Sequence, residues 1–269
     1  MAPVTSALLA DIRQKRYVRS RGAQPHVALA GLSLRIEPGE IVALVGPSGC
    51  GKTTVLNIVA GLDRDFDGQV QRARRPDGAA TRIGYVFQEP RLLPWRTVGE
   101  NVELVLPPHR TEPLVTEVLK AVGLAEAREL YPGQLSVGMR RRVAIARAFA
   151  IEPDLLLMDE PFVSLDHDAV EQLRELLLKL WQARPTTVLF VTHDLREALV
   201  LADRLVLLSA PPGHVVGHVP VSLGRERRHS AAIESLRDEV LRQHRELIGA
   251  AGAALPETPS AATSAQESR

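Results

Sequence analysis

A run of small residues ending in a cation and a hydroxyl, Gly46-Pro47-Ser48-Gly49-Cys50-Gly51-Lys52-Thr53-Thr54, is the stretch best suited to chemistry. It fits the pattern G-x-x-x-x-G-K-[ST], a loop built to cradle phosphates. Its glycines let backbone N–H groups curl around phosphate oxygens without Cβ clashes. A helix opening at Lys52 would add its positive dipole end. Lys52 is then expected to reach the β- and γ-phosphates of a nucleotide, and Thr53 to ligate Mg²⁺. Cys50 lies inside the loop, so a bulky thiol reagent there is expected to block ATP. A second group closes the run Leu155-Leu156-Leu157-Met158-Asp159-Glu160. Four apolar residues would bury a strand and release two carboxylates at its C-terminal end, where α/β sheets bind ligands. Asp159 is expected to hold Mg²⁺ and Glu160 to polarise an attacking water.

The elements needed to hold these groups are legible. Leu32 to Ile36 alternates apolar and polar residues, as a half-buried strand does. Pro38 and Gly39 turn the chain, and Ile41 to Val45 is a continuous apolar run fitting a strand buried on both faces. A helix from Lys52 to Ala60 should close at Gly61. Arg82 to Gln88, Leu155 to Asp159, Thr187 to Thr192 and Leu205 to Leu208 read as further strands. Leu92 to Val122 reads as mostly helical, broken at Pro107 and Pro108. Helices are also expected over Gly138 to Ala150, Asp168 to Gln182 and Ser230 to Ile248. Alternating strands and helices imply an α/β fold with a mainly parallel sheet covered on both faces. Residues 1–248 are expected to form one domain, and the Ala-, Ser-, Thr- and Pro-rich residues 249–269 a disordered tail.

Composition narrows the classes. The 269 residues are 45% hydrophobic and 24% charged, an ordinary globular balance. The net charge of +1 does not favour a strongly polyanionic partner, so no nucleic acid is expected. No run of eighteen apolar residues suggests a transmembrane helix, and Met1 to Asp11 lacks the features of a signal peptide. One cysteine excludes an internal disulfide, which fits a reducing compartment.

Beyond the phosphate loop, Leu135-Ser136-Val137-Gly138-Met139 and the following Arg140-Arg141-Arg142-Val143-Ala144-Ile145-Ala146-Arg147-Ala148 resemble the signature motif and helix of the ABC transporter ATPase family. The resemblance runs from about Tyr17 to Leu208. It implies a P-loop NTPase core, a small antiparallel β subdomain and an inserted helical subdomain over about residues 90–150. It also implies that Ser136 and Gly138 cap the γ-phosphate bound to a second copy of the chain, so that the active unit is a homodimer. Gln88 then matches the glutamine that senses Mg²⁺ and the attacking water. Asp166, in Ser164-Leu165-Asp166, matches the loop that crosses the dimer seam, and His193 the switch histidine at the γ-phosphate. Tyr17 falls where the family places an aromatic against adenine. Val137 departs from the family's usual glycine. If glycine-like torsions are needed there, strain of about 1–3 kcal/mol would weaken the closed pair; with ordinary torsions Val137 costs little.

The stretch Gln88-Glu89-Pro90-Arg91-Leu92-Leu93-Pro94-Trp95-Arg96-Thr97-Val98 resembles the branch that imports nitrate, taurine and aliphatic sulfonates. That branch implies transmembrane permease subunits, an extracytoplasmic solute-binding protein, and a peripheral place on the cytoplasmic face of the inner membrane. Trp95 would dock on the permease, or else fill a core. Three alternatives explain less. A soluble ABC ATPase of the chromosome type would place long coiled coils between the two motifs, and a ribosome-type member would carry two ATPase units. A P-loop kinase or GTPase leaves the signature and His193 without a role, and a dead regulatory binder leaves Lys52, Glu160 and His193 so. An importer for another small solute stays open at this point.

Overall fold

The computed structural model describes residues 6–18, 24–107, 111–224, 228 and 230–243. The strands are β1 (Leu8–Tyr17), β2 (His26–Ile36), β3 (Ile41–Val45), β4 (Asp67–Arg72), β5 (Ile83–Val86), β6 (Leu155–Asp159), β7 (Thr187–Thr192), β8 (Arg204–Leu208) and β9 (Val215–Pro220). The helices are α1 (Lys52–Ala60), α2 (Val98–Glu103), α3 (Thr111–Ala121), α4 (Val137–Ala150), α5 (His167–Ala183), α6 (Leu195–Leu201) and α7 (Ser230–Gln243).

The apolar runs make the centre of the molecule. β3, β6 and β7 are buried along their whole length. They lie in a six-stranded sheet of order β5-β6-β7-β3-β8-β9, parallel except for β9 on one edge. Because side chains alternate across a strand, each run feeds two cores. Val42, Leu44, Leu155, Leu157, Leu189 and Val191 pack with α1 and the second sheet. Ile41, Ala43, Leu156, Met158, Val188 and Phe190 pack on the opposite face with α5, α6 and α7. The second sheet is antiparallel, of order β2-β1-β4. A third core, with Val98, Val115, Leu119, Leu135 and Val143, sits among α2, α3 and α4.

The structure departs from the sequence reading in identifiable places. β2 starts at His26, six residues before the alternation that marks it, because Ala28 and Leu29 are both buried and break the period. β1 and β4 escape notice because charged and amide residues interrupt their apolar positions; Leu8, Ala10 and Ile12 still point inward. α6 has only seven residues, and β9, an edge strand with only Val219 buried, carries Gly217, His218 and Pro220 and so shows no apolar run. Residues 92–97 are not helical. Pro94 cannot donate, and the helix begins only after Thr97, whose hydroxyl accepts from Glu100 N at 3.2 Å while the Glu100 carboxylate accepts from Thr97 N at 2.8 Å. The proposed tail, and the extension of α7 to Ile248, lie outside the described residues.

Candidate functional site

The phosphate loop is held by what lies beneath it. Gly51 has φ 96°, and a Cβ there would meet Leu29 Cδ2 at 2.5 Å, so only glycine fits at the entry to α1. Gly213, remote in sequence, touches the underside of the loop: a Cβ on it would lie 2.0 Å from the Cys50 carbonyl oxygen. Backbone bonds from Ala30 N to Gly213 O and from Gly213 N to Ala28 O tie it to β2. Cys50 is fully buried and packs into the core below, and burial pushes its thiol pKa up against the opposing charge of Lys52. Cys50 thus lies inside the loop by sequence, while its side chain is turned into the core beneath it.

Lys52 is 6% exposed and bends over the loop, donating to the carbonyls of Gly46 at 2.7 Å and Pro47 at 3.0 Å. The Thr53 hydroxyl donates to Asp159 Oδ1 at 3.1 Å. Asp159 is buried, and burial raises its pKa; the Glu160 charge adds to this, while the Thr53 hydrogen bond and the charges of Lys52 and Arg91 oppose it. Glu160 has φ 44°, a left-handed conformation that costs a non-glycine residue about 1–3 kcal/mol. Its N–H bonds Val191 O at 3.0 Å, and its carboxylate lies 3.1 Å from His193 Nδ1. The strained turn thus points the carboxylate out of the sheet and toward the histidine that follows β7.

Two cavities meet at Thr53. One, of about 290 Å³, is lined by Tyr17, His26, Ser48, Gly49, Lys52 and Glu160 among others. The other, of about 600 Å³, includes Gln88, Asp159, Arg141, Val137 and Ser164 in its wall. Tyr17 is fixed at the mouth of the first: its hydroxyl donates to Asp63 Oδ2 at 3.1 Å and lies 3.3 Å from Thr54 Oγ1, with the Lys15 ammonium 4.6 Å from the ring centroid. Sequence reading singled out neither His26, Lys15, Asp63 nor Gly213.

The signature residues stand apart from this cluster. Ser136 caps α4, accepting from Met139 N at 3.2 Å, and is exposed. Asp166 caps α5, accepting from Ala169 N at 2.8 Å. Among the described residues no hydrogen bond joins Ser136, Gly138 or Asp166 to the phosphate loop. Val137 is the first residue of α4, has no positive φ, and is 45% exposed. A glycine-like torsion is therefore not needed at this position, and the strained alternative does not apply.

Behind His193, Glu197 accepts a hydrogen bond from the Thr192 hydroxyl at 2.6 Å. Burial above all pushes its pKa up from 4.5 to about 7; Asp194 adds to the rise, while Thr192, His193 and Arg174 oppose it. Between those two pH values the folded chain holds a proton that the unfolded chain releases. The stability from this proton is present in full below about 4.5 and is lost as pH rises through about 7. A rise of that size corresponds to roughly 3 kcal/mol. Glu197→Gln is expected to flatten this slope and to be more stable than wild type at alkaline pH. Denaturant unfolding across pH checks it, and an unchanged slope would contradict it.

A family model described as ABC transporter matches residues 29–163. An aliphatic sulfonates import ATP-binding protein of Pseudomonas aeruginosa (strain UCBPP-PA14) is 47% identical over 222 residues, covering 79% of this chain and 89% of its own. A protein of the same description from Bacillus subtilis (strain 168) is 39% identical over 239 residues, covering 87% of this chain and 93% of its own. A solved dimeric structure of a bacterial ABC transporter cassette superposes with TM-score 0.70 at 32% identity, covering 81% of this chain and all (100%) of that one. A dimeric post-hydrolysis state of an ATP-binding cassette bound to ADP and Pi gives TM-score 0.69 at 32% identity, over 81% of this chain and 100% of that one. With the phosphate loop, the Asp159–Glu160 strand end and His193 gathered at one cleft, this chain belongs to the ABC transporter family as an ATP-binding cassette.

Proposed function

We propose that this cassette powers an importer for a small anionic solute, an aliphatic sulfonate, taurine or nitrate, and that it works as a homodimer. One observation carries the dimer: among the described residues Ser136 and Gly138 make no hydrogen bond to their own phosphate loop, and they sit at a helix N-terminus whose cap, Ser136, is exposed, where a second copy's γ-phosphate could reach them. The solute class rests on the similarity to the aliphatic sulfonate import proteins, 47% identical in one case.

In this reading adenine packs against Tyr17 and the phosphates lie along residues 46–54. Lys52 exchanges its two carbonyl partners for phosphate oxygens. Mg²⁺ suits the donor set, because the Thr53 hydroxyl and Asp159 carboxylate are hard oxygen ligands 3.1 Å apart and Gln88 shares their cavity. Bound there, the ion would neutralise charge on the phosphates. Glu160 accepts a proton from the attacking water, and His193 holds both that carboxylate and the γ-phosphate in line. Ser136 and Gly138 of the second copy close the site, with Asp166 at the seam.

Permease subunits would provide the passage, an extracytoplasmic solute-binding protein would deliver the solute, and the cassette would sit on the cytoplasmic face of the membrane. No helix among the described residues is long and apolar enough to cross a membrane. Trp95 is 69% exposed beside Pro94, so it fills no core. A groove of about 390 Å³ along the edge strand β5, lined by Tyr85, Phe87, Leu104 and Val105, offers further apolar surface. Trp95→Ala is expected to leave ATP affinity within about twofold and weaken assembly about tenfold or more, as loss of an interfacial tryptophan does. Co-purification with the permease reads this directly, and normal assembly would refute a docking role. For the solute, reconstituted complex should hydrolyse ATP faster when its binding protein is loaded with one of the three anions. Failure to co-purify with any membrane protein, or stimulation by none of the three, would contradict the importer reading.

A further inference from the structure

Helix α4 carries four arginines, none of which pairs with a carboxylate among the described residues, and two of them, Arg141 and Arg147, reach main-chain carbonyls of segments far away in sequence. Arg141 is 3% exposed. Its Nη1 donates to the Phe87 carbonyl at 3.3 Å and also to the Gln88 carbonyl, and its Nη2 donates to the Val163 carbonyl at 3.1 Å. Its Nε–H meets no acceptor among the described residues. Six residues along, Arg147 donates to the carbonyls of Arg91 at 3.0 Å and Pro90 at 2.8 Å. Among the described residues, the hydrogen bonds that lace 87–91 to α4 all end on main-chain carbonyls.

Withdrawing a guanidinium from water is costly unless its donors are met. A carboxylate would meet them most simply. Arg141 instead spends its planar fork on two loops separated by more than seventy residues of sequence. Gln88 belongs to the first, and it lines the same cavity as Thr53 and Asp159. The second runs from Val163 into Ser164, held at φ 63°, and on to Asp166. The helix that carries Arg141 is capped five residues earlier by Ser136. One buried cation thus joins the helix that carries it to two loops that the hydrolytic site needs, and it holds both loops through main-chain carbonyls.

We propose that Arg141 is a positioning residue for hydrolysis: it holds Gln88 toward the Thr53–Asp159 pair and binds the 163–166 loop to the signature helix, so that the three move as one body. This rests on the ATPase reading of the site.

The test uses the full chain with two variants. Arg141→Met keeps the stem's bulk and removes every donor; Arg141→Lys keeps the charge but cannot fork across two loops. Hydrogen exchange should quicken in both 87–91 and 163–166 together, while α1 and β3 keep wild-type protection. ATP affinity should stay within about twofold, and turnover with the membrane partners should fall about tenfold or more, a loss in kcat rather than KM. Adding Gln88→Ala to Arg141→Met should then slow the enzyme little further, whereas independent roles would multiply. The proposal is overturned if exchange rises in one loop only or in neither, if the two losses multiply, or if neither variant folds, which would make Arg141 a core residue. A wild-type complex that turns over no ATP would sink the ATPase reading instead, and the exchange data alone would decide the joining role.

Discussion

Glu160→Gln is expected to lower ATP turnover by about a hundredfold or more while leaving ATP affinity within about twofold, because a positioned general base contributes about 10²–10⁴ in rate. The geometry separates the two effects. The Glu160 carboxylate is 3.1 Å from His193 Nδ1, and none of the bonds that shape the phosphate loop involves it. A glutamine amide is nearly isosteric, keeps an oxygen acceptor and can still meet the histidine. It cannot take a proton from water at neutral pH. The backbone strain at φ 44° is unchanged by the substitution, so the fold has no new reason to relax. Phosphate release and fluorescent-nucleotide titration read turnover and affinity separately; equal loss of both would mean that Glu160 shapes the pocket and does not act on water.

Lys52→Ala should do the reverse. Two bonds to loop carbonyls disappear from a residue only 6% exposed, and with ATP present so does the cation facing the β- and γ-phosphates. Hydrogen bonds to charged groups are worth about 1.5–3 kcal/mol, so ATP affinity should fall about ten- to a hundredfold, and turnover with it. AMP lacks the phosphates that the ammonium addresses and should bind variant and wild type alike. Calorimetric titration with both nucleotides checks this. An equal loss for AMP would show that the loop itself had collapsed.

How far the sequence carried this picture depended on where the information lay. The phosphate loop, the apolar strands β3, β6 and β7 and the helix closing at Gly61 are written in short contiguous runs, and local reading found them. The antiparallel sheet was mostly missed, because apolar Leu9 and the inward Lys15 blur the short alternation of β1, β4 has one large apolar residue, Val70, and the pairing is long-range. The apolar residues of 92–97 cluster as a helix's do, and only the Thr97–Glu100 capping box marks where the helix starts. Cys50 was placed in the cradle by adjacency, which says nothing about the direction of its side chain. Gly213 could not have been found at all: it supports the loop from more than 160 residues away, and its one qualification is the absence of a Cβ. Nothing in the run Arg140-Arg141-Arg142 marks Arg141 as the buried member; that depends on the carbonyls of two loops distant in sequence that surround it.

The central claim is that each ATP is enclosed by two copies of the chain, and light scattering on full-length Glu160→Gln with saturating Mg-ATP tests it most directly. Blocking hydrolysis should trap the closed form, so the measured mass should double from that of a 29.4 kDa chain on adding ATP and return on removing it. A particle that keeps the single-chain mass at saturating ATP, with the permease or without it, would contradict the account.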